Sequence, residues 1–283
     1  MELFSFSEPL LHLHHGLTEH PHPDECPLHV HDGYELFIFL QGDVEYYIEG
    51  RRYSMLPYTV LLMQPGEAHR PIPQSGAPYE RVVYEFSADA LRHADPDRKL
   101  LRAFKHAPGQ QNDFPPETIS SELLNTFFAQ CKRAGDNEYA KRLVAQTFLP
   151  LFLLELQKQP ERQHEPVTGF AANVTDYINR HLTENWSLDD LATHLFVSKT
   201  YLNKKFKEST GATVWQYVIV KRLQLARRGI LSGQSIRSVF EQSGFNDYAT
   251  FFKRYKERFG VSPREDQQQC RGISPLAQHN IHL

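Results

Sequence analysis

Two stretches decide how this chain is read: LDDLATHLFVSKTYLNKKFKESTG, residues 188–211, and SIRSVFEQSGFNDYATFFKRYKERFGVSP, residues 235–263. In the first, an apolar-periodic helix ends in a short turn and Ser198 opens a second helix. A serine there accepts a hydrogen bond from the backbone N–H groups that a helix start leaves free. Leu202 and Phe206, four residues apart, face inward, while Thr200, Asn203, Lys204 and Lys207 take the wet side. The second stretch repeats the plan. Ile236 and Val239 supply an inner face, Gly244-Phe245 the turn, and Phe251 and Tyr255 anchor a basic helix. Each stretch predicts a helix-turn-helix unit, and two copies are much harder to reach by chance than one.

Between the units the pattern predicts one helix over residues 213–231. At ~1.5 Å per residue it spans about 28 Å, close to the roughly 34 Å between successive major grooves on one face of DNA. A rod of that length sets both units into adjacent grooves, a register that a flexible linker does not fix. The charge is divided accordingly. Residues 1–169 carry 15 Lys+Arg against 24 Asp+Glu, or −9, and residues 170–265 carry 15 against 9, or +6. The whole-chain charge of −3 argues against nucleic acid, whereas the split argues for it in one half.

Contacts sort by chemistry. Thr200, Asn203 and Lys204 in the first reading helix, with Asn246, Tyr248 and Lys253 in the second, are the candidates for base edges. Asn pairs with adenine, Lys donates to guanine and the Thr methyl meets that of thymine. Ser198, Lys199, Lys205, Lys207, Arg254 and Lys256 are the candidates for phosphates, which set position more than sequence. The competing reading of these residues is a solvated helix face.

Residues 170–265 resemble the AraC/XylS type of bacterial transcription regulator over almost their whole length. The matching features are SLDDLA (187–192), Val197-Ser198, YLNKKFKESTG (201–211), Arg222-Leu223 with Ala226, Ser235-Ile236, Gly244-Phe245 and GVSP (260–263). The resemblance implies a ligand-controlled regulator of promoter DNA, commonly an activator that meets RNA polymerase, often a homodimer, in the bacterial cytoplasm and on the nucleoid when bound. Three places depart from the pattern. Phe240 stands where a small residue is usual, Gly229 where Leu is usual, and REDQ follows Ser262-Pro263 in place of the usual Tyr-Arg. Gly229 weakens the end of the linker helix by about 1 kcal/mol relative to Ala.

Working outward to the N-terminal half, residues 1–28 are rich in His and Pro and read as an arm with little regular structure; His12, His14, His15, His20 and His22 in it could bind metal but are irregularly spaced. Tyr34 to Phe86 is strand-like: YELFIFL, VEYYIEG, a hairpin at Glu49-Gly50-Arg51, then RYSML, YTVLLMQ and YERVVYEF. Short strands with regular turns predict a small β-barrel or sandwich. Inside it, His29-x-His31 is followed after three residues by Glu35 and after six more by Gly42, and Pro65-Gly66-x-x-His69 comes later. Strand alternation puts His29 and His31 on one face. Three imidazoles and a carboxylate suit a divalent transition metal such as iron, manganese, nickel or zinc.

Residues 25–90 resemble the cupin fold on this spacing. Two readings of the set follow: a metal site, or inherited residues that bond to strand ends or line a pocket for a small polar effector, with no cofactor required. Tyr34, Glu35, Tyr46 and Tyr84 are the candidate pocket residues. A short helix is expected around Asp89–Phe104, then helices over 117–133 and 136–159, the latter kinked by Pro150. These helices pack on the sheet, or part of their surface pairs two copies.

The expected fold is therefore α+β. An N-terminal cupin-like β-barrel with following helices occupies residues 1–160 (barrel about 25–90, helices about 117–159), and a linker 161–169. An all-α domain of two helix-turn-helix units joined by a long helix takes 170–265, and a tail 266–283. Cys26, Cys131 and Cys270 form no pairing or metal pattern, which fits a reducing compartment. The N-terminal MELFSFSEPLLHLHH has neither a basic n-region nor a cleavable apolar core, so no membrane partner is expected. A metal-dependent enzyme of the dioxygenase or isomerase type with a basic appendage is the alternative to a transcription regulator, and a metabolite-binding module without transcriptional output is a third reading.

Overall fold

The computed structural model describes residues 1–26, 28–158, 169–270 and 281–282. The N-terminal half holds strands β1 (Glu2–Glu8), β2 (Leu11–Thr18), β3 (His29–Val30), β4 (Tyr34–Gln41), β5 (Val44–Ile48), β6 (Arg51–Ser54), β7 (Val60–Met63), β8 (His69–Pro73), β9 (Tyr79–Phe86) and β10 (Asp113–Phe114). All pairing is antiparallel and falls into two sheets. One runs β1-β2-β9-β4-β7-β10; the other runs β3-β8-β5-β6 and is extended at β3 by β11 (Ile281–His282). The continuous apolar run of β4 is buried on both faces. Leu36 and Ile38 join Val82, Tyr84 and Phe86 under α1 (Ser121–Ala134) and α2 (Glu138–Gln157), against Phe127, Phe148 and Phe152. Phe37 and Phe39 point the other way, into a cluster with Tyr46, Ile48, Met63 and Tyr79 between the sheets.

Several expectations change here. Among the described residues the two sheets do not close into a barrel, because their edges pair with nothing across the gap; the architecture is two stacked sheets with helices over one outer face. The supposed arm is two full strands. Phe4 and Phe6 in β1 and Leu11 and Leu13 in β2 alternate into the core, and β2 pairs with β9 along its length. His15 bonds to Glu80 and His12 to Ser7, so these two histidines serve the sheet. In place of one helix over 89–104 there are two short 3-10 turns, Ala88–Leu91 and Leu100–Phe104. Of the expected linker, residues 161–168 lie outside the described residues, and Gly169 is the N-cap of the next helix.

The C-terminal half is helical: α3 (Phe170–Arg180), α4 (Leu188–His194), α5 (Lys199–Thr210), α6 (Val214–Leu231), α7 (Ile236–Gln242), α8 (Tyr248–Phe259) and α9 (Pro263–Cys270). The helix starts follow from their caps. The side chains of Ser187, Ser198, Thr213, Ser235 and Asp247 each accept the backbone N–H three residues on, and Ser187 with Asp190 and Thr213 with Gln216 form reciprocal boxes. Gly211 and Gly260 end α5 and α8 in the left-handed conformation. Residues 266–270 of the supposed tail belong to α9, 271–280 and 283 lie outside the described residues, and Asp266 is buried against Arg227 and Tyr255, which its carboxylate serves as acceptor. Ser262 starts that helix: its hydroxyl accepts from the Glu265 N–H while the Glu265 carboxylate accepts from the Ser262 N–H.

Candidate DNA-reading face and effector centre

Helices α5 and α8 are each anchored by one apolar stripe. Leu202, Phe206 and Thr210 are buried on α5, and Phe251, Tyr255 and Phe259 on α8. The opposite faces are exposed. Thr200, Lys204 and Lys207 project from α5, and Tyr248, Lys253, Arg254 and Lys256 from α8, with Asn246 in the turn before it. Asn203 is only half exposed, because its carboxamide oxygen accepts the Val214 N–H at the start of α6 (3.3 Å). Ser198 accepts the Tyr201 N–H as the α5 cap, which uses an oxygen lone pair and leaves its O–H as a donor toward a phosphate. Lys199 pairs with Asp189, Lys205 with Glu208, and Arg254 with Glu257, all on the surface. Such exposed pairs are weak and exchange readily for phosphate oxygens. Tyr248 stands edge-on to Phe240 at 5.3 Å, so the bulky Phe240 fills space under the second reading helix.

The sheet domain meets this helical unit along one stripe of α6. Tyr217, Lys221, Gln224 and Arg227 recur at helical spacing and are buried, although three of them are polar or charged. Their acceptors all lie in the sheet domain or α9. Glu49, 0% exposed at the β5–β6 hairpin tip, accepts from Tyr217 Oη (2.5 Å), Lys221 Nζ (2.7 Å) and Asn179 (2.7 Å). Burial would raise the Glu49 pKa, but the Lys221 charge and these hydrogen bonds outweigh it and lower the value. Lys221 donates also to the Gly66 carbonyl (2.7 Å). Asp32 accepts from Gln224 (2.5 Å) and Arg227 (3.2 Å), and Arg51 pairs with Asp176 of α3 at 2.7 Å. From sequence Glu49, Arg51 and Gly66 were marked only as turn residues, and the docking role of this set was not read at all. Their partners across the two halves are 125 or more residues away, and the one local sign was a helix with charges on the face that its neighbours bury.

The candidate metal residues do gather, in two overlapping sets. His29, Glu35 and His69 bring ligand atoms within 4.8 Å of one another; so do His31, Glu35 and Glu85. Glu35 is shared, and Glu85 was missed. Its signal is tertiary, because β4 and β9 pair Glu35 directly with Glu85, two like charges that need a positive group between them. His31 supplies one, with its Nε2 2.8 Å from Glu35. Burial would lower the His31 pKa, but the Glu35 hydrogen bond and the Glu85 and Glu35 charges carry it to about 9. Glu35 would likewise be raised by burial, yet His69 and His31 hold it well below the usual carboxylate range.

The backbone orients both buried imidazoles. His31 Nδ1 lies 2.9 Å from the Gly33 carbonyl and His69 Nδ1 2.9 Å from that of Glu67. Carbonyls only accept, so each Nδ1 carries its proton and each Nε2 faces Glu35. This arrangement orients ligating histidines. His69 Nε2 is buried, 3.3 Å from Glu35, and makes no hydrogen bond. The donor set and that orphaned nitrogen fit a divalent transition metal.

The four candidate pocket residues do not converge. Tyr34 packs on Phe86 and Phe104, and Tyr84 on Phe127 and Phe152, on the helix-covered face. Tyr46 and Glu35 point between the sheets, Tyr46 stacked 6.1 Å from His69. Adjacent residues of a strand face opposite ways, so Tyr34 and Glu35 cannot share a pocket.

Comparison with known proteins completes the picture. A family described as AraC-like ligand binding domain matches residues 14–151, and one described as helix-turn-helix domain matches residues 191–269. The chain is 27% identical over 248 residues to the uncharacterized HTH-type transcriptional regulator YfiF of Bacillus subtilis, covering 83% of this chain and 77% of that protein. It is 26% identical over 197 residues to the regulatory protein PocR of Salmonella typhimurium, covering 66% and 59%. Among solved structures, an apo ToxT variant from Vibrio cholerae aligns over 93% of this chain and 98% of its own, with 14% identity and a TM-score of 0.42. The matches to regulators decide between the regulator and enzyme readings in favour of the first. With a ligand-binding module followed by a helix-turn-helix module along its length, the chain belongs to the AraC family of transcription regulators.

Proposed function

We propose that this regulator is controlled by a ligand taken up at the His29–Glu35–His69 centre, and that a divalent transition metal held there, with His31 beside it, is the effector or its anchor. A bound metal supplies an open coordination position for an oxygen- or nitrogen-bearing metabolite. The observation that carries the reading is the placement of the linker helix. Asp32 follows His31 and holds Gln224 and Arg227, while the Gly66 N–H donates to the His31 carbonyl and its own carbonyl holds Lys221. The segments that bear the centre are thus the segments that grip α6, which carries both reading units. Double-stranded promoter DNA is the second partner, read by the base and phosphate residues named above. No described helix is long and apolar enough to cross a membrane.

The test titrates Mn(II), Fe(II), Ni(II) and Zn(II) into metal-free full-length protein and follows gel shifts on the DNA upstream of its own gene. One of these metals should bind stoichiometrically and change DNA affinity, and His69→Ala should lose both effects. Asp32→Asn should keep the metal and lose its influence on DNA. Failure of every metal to bind would remove the metal from the reading while leaving DNA binding intact.

Activation, through RNA polymerase, and a cytoplasmic place are the sense of regulation and location that the family implies. A homodimer is supported by the exposed apolar residues Tyr139, Leu143, Leu151 and Leu154 along α2. Sedimentation of wild type and Leu143→Glu/Leu154→Glu should give a dimer and a monomer; a wild-type monomer at micromolar concentration would refute it.

A further inference from the structure

The two helix-turn-helix units are joined covalently by α6, and a second tie crosses between them at Arg222. This side chain is buried at 6% exposure and lies in the middle of α6. Its Nε donates to the Leu182 carbonyl (2.7 Å) and its Nη2 to that of Glu184 (2.8 Å), both in the loop between α3 and α4 of the first unit. Its Nη1 donates to the Gly244 carbonyl (2.6 Å), in the turn between α7 and α8 of the second. Gly244 has φ +80, and a Cβ there would lie 2.8 Å from Arg222 Nε and 3.0 Å from the Thr183 Cα, so the turn sits directly on the first unit. Close by, Asn246 donates to Asn185 across the same seam (3.3 Å).

A rod fixes the distance between its ends and leaves open the rotation of whatever is attached there. At one end of α6 the chain passes through Gly211, at φ +79, and at the other through Gly233, at φ +89. Apolar packing seats each unit on α6, with Val214, Tyr217 and Val218 in the first core and Leu223, Ala226 and Ile230 in the second, but such contacts are non-directional and fix rotation less sharply than hydrogen bonds. A guanidinium is planar and offers its donors in a fixed fork. Three carbonyls from two units, bonded to one such plane, leave those units a single mutual orientation. We infer that Arg222 is the positioning residue that locks the rotational register of α8 against α5, so that the two reading helices address one DNA site of fixed spacing. Arg222 is buried and gives three of its five N–H groups to carbonyls inside the protein, which makes it a positioning residue rather than one that faces DNA.

The experiment uses full-length protein and a duplex that the wild type selects from a random-sequence pool. Into the interval between its two protected grooves, one to five base pairs are inserted, each adding roughly 34° of rotation at ~10.5 base pairs per turn. Wild-type affinity should fall about a hundredfold or more at five inserted pairs, the scale at which specific contacts are lost. Arg222→Gln should bind the parent duplex about tenfold more weakly, while its loss across the insertion series shrinks to about threefold or less. Its footprint should keep the groove read by α5. A steep, wild-type spacing profile in Arg222→Gln, with or without a uniform loss of affinity, would overturn the assignment and leave Arg222 a contributor to stability only. Should Arg222→Gln not fold, Arg222→Lys keeps the charge without the fork and Gly244→Ala displaces the guanidinium. A flattened profile in either supports the lock, and a wild-type profile in both refutes it.

Discussion

Asn203 and Lys204 are neighbours on α5 and do different work. The Asn203 carboxamide is shared with the start of α6, through the Val214 N–H, so its replacement would disturb a helix start as well as the base contact proposed for it. Lys204 and Lys207 are free of that duty and exposed. Lys204→Ala is expected to cost ~1–3 kcal/mol of DNA affinity and to relax selectivity at one position. Lys207→Ala should weaken all sequences alike and reduce the salt slope by about one. Quantitative gel shifts at several salt concentrations separate the two, and an equal loss from both on every sequence would cancel the assignment of Lys204. At the same scale, strand parity divides Tyr34 from Glu35 and Tyr84 from Glu85. That division was open to the sequence alone, since it needs only the period of a strand.

Among the elements, the end of α6 shows propensity and packing in opposition. Gly229 costs the helix about 1 kcal/mol against Ala. A Cβ at that position, however, would lie 2.9 Å from Val239 Cγ2 and 3.3 Å from Gln234 Oε1. The glycine is what lets α7 close on α6. Gly229→Leu, which restores the usual family residue and a better helix former, should therefore destabilise the second unit by roughly 1–3 kcal/mol through overpacking. Urea denaturation followed by circular dichroism checks this, and a gain in stability would show that α7 yields easily. Phe240 belongs to the same adjustment, with its ring against Tyr248 and Phe251 (5.3 and 5.8 Å). The helix boundaries were legible because their caps are local, as at Ser187, Ser198, Thr213 and Ser235. Strands β1 and β2 carried the same kind of signal in the alternation of Phe4, Phe6, Leu11 and Leu13, but the histidines between them masked it. Strand β8, HRPIP, was obscured by its two prolines.

At the scale of the whole molecule, the two halves are held together through buried charge. Glu49 and Lys221 are 0% and 8% exposed, and loss of one partner strands the other. Glu49→Gln should destabilise the docked arrangement by about 3–5 kcal/mol near neutral pH. The pH dependence has a definite sign. The folded Glu49 pKa lies below its ordinary value of 4.5, so the folded state holds its proton less tightly than the unfolded chain. Its contribution is complete above about pH 4.5 and is lost as the pH falls below it. Wild type and Glu49→Gln should therefore differ most at pH 7 and converge toward pH 3 in urea denaturation. A difference that stays constant across that range would exclude the ionised carboxylate as the cause.

By itself the sequence determined the two reading units, the rod between them, the Ser198 cap and the His-x-His/Glu/His set, because each is written in local spacing: a period of 3.6, a period of 2, or a cap three residues from the group it serves. Only the tertiary structure decided that two sheets stack without closing, that Glu85 stands opposite Glu35, that Asp32, Gly66 and Glu49 grip α6, and that Arg222 ties one unit to the other. Those depend on strand pairing and on contacts between segments up to 195 residues apart, which no local period encodes. The doubled helix-turn-helix could be read in one pass along the chain; the means by which the sheet domain holds it could be read only from the fold.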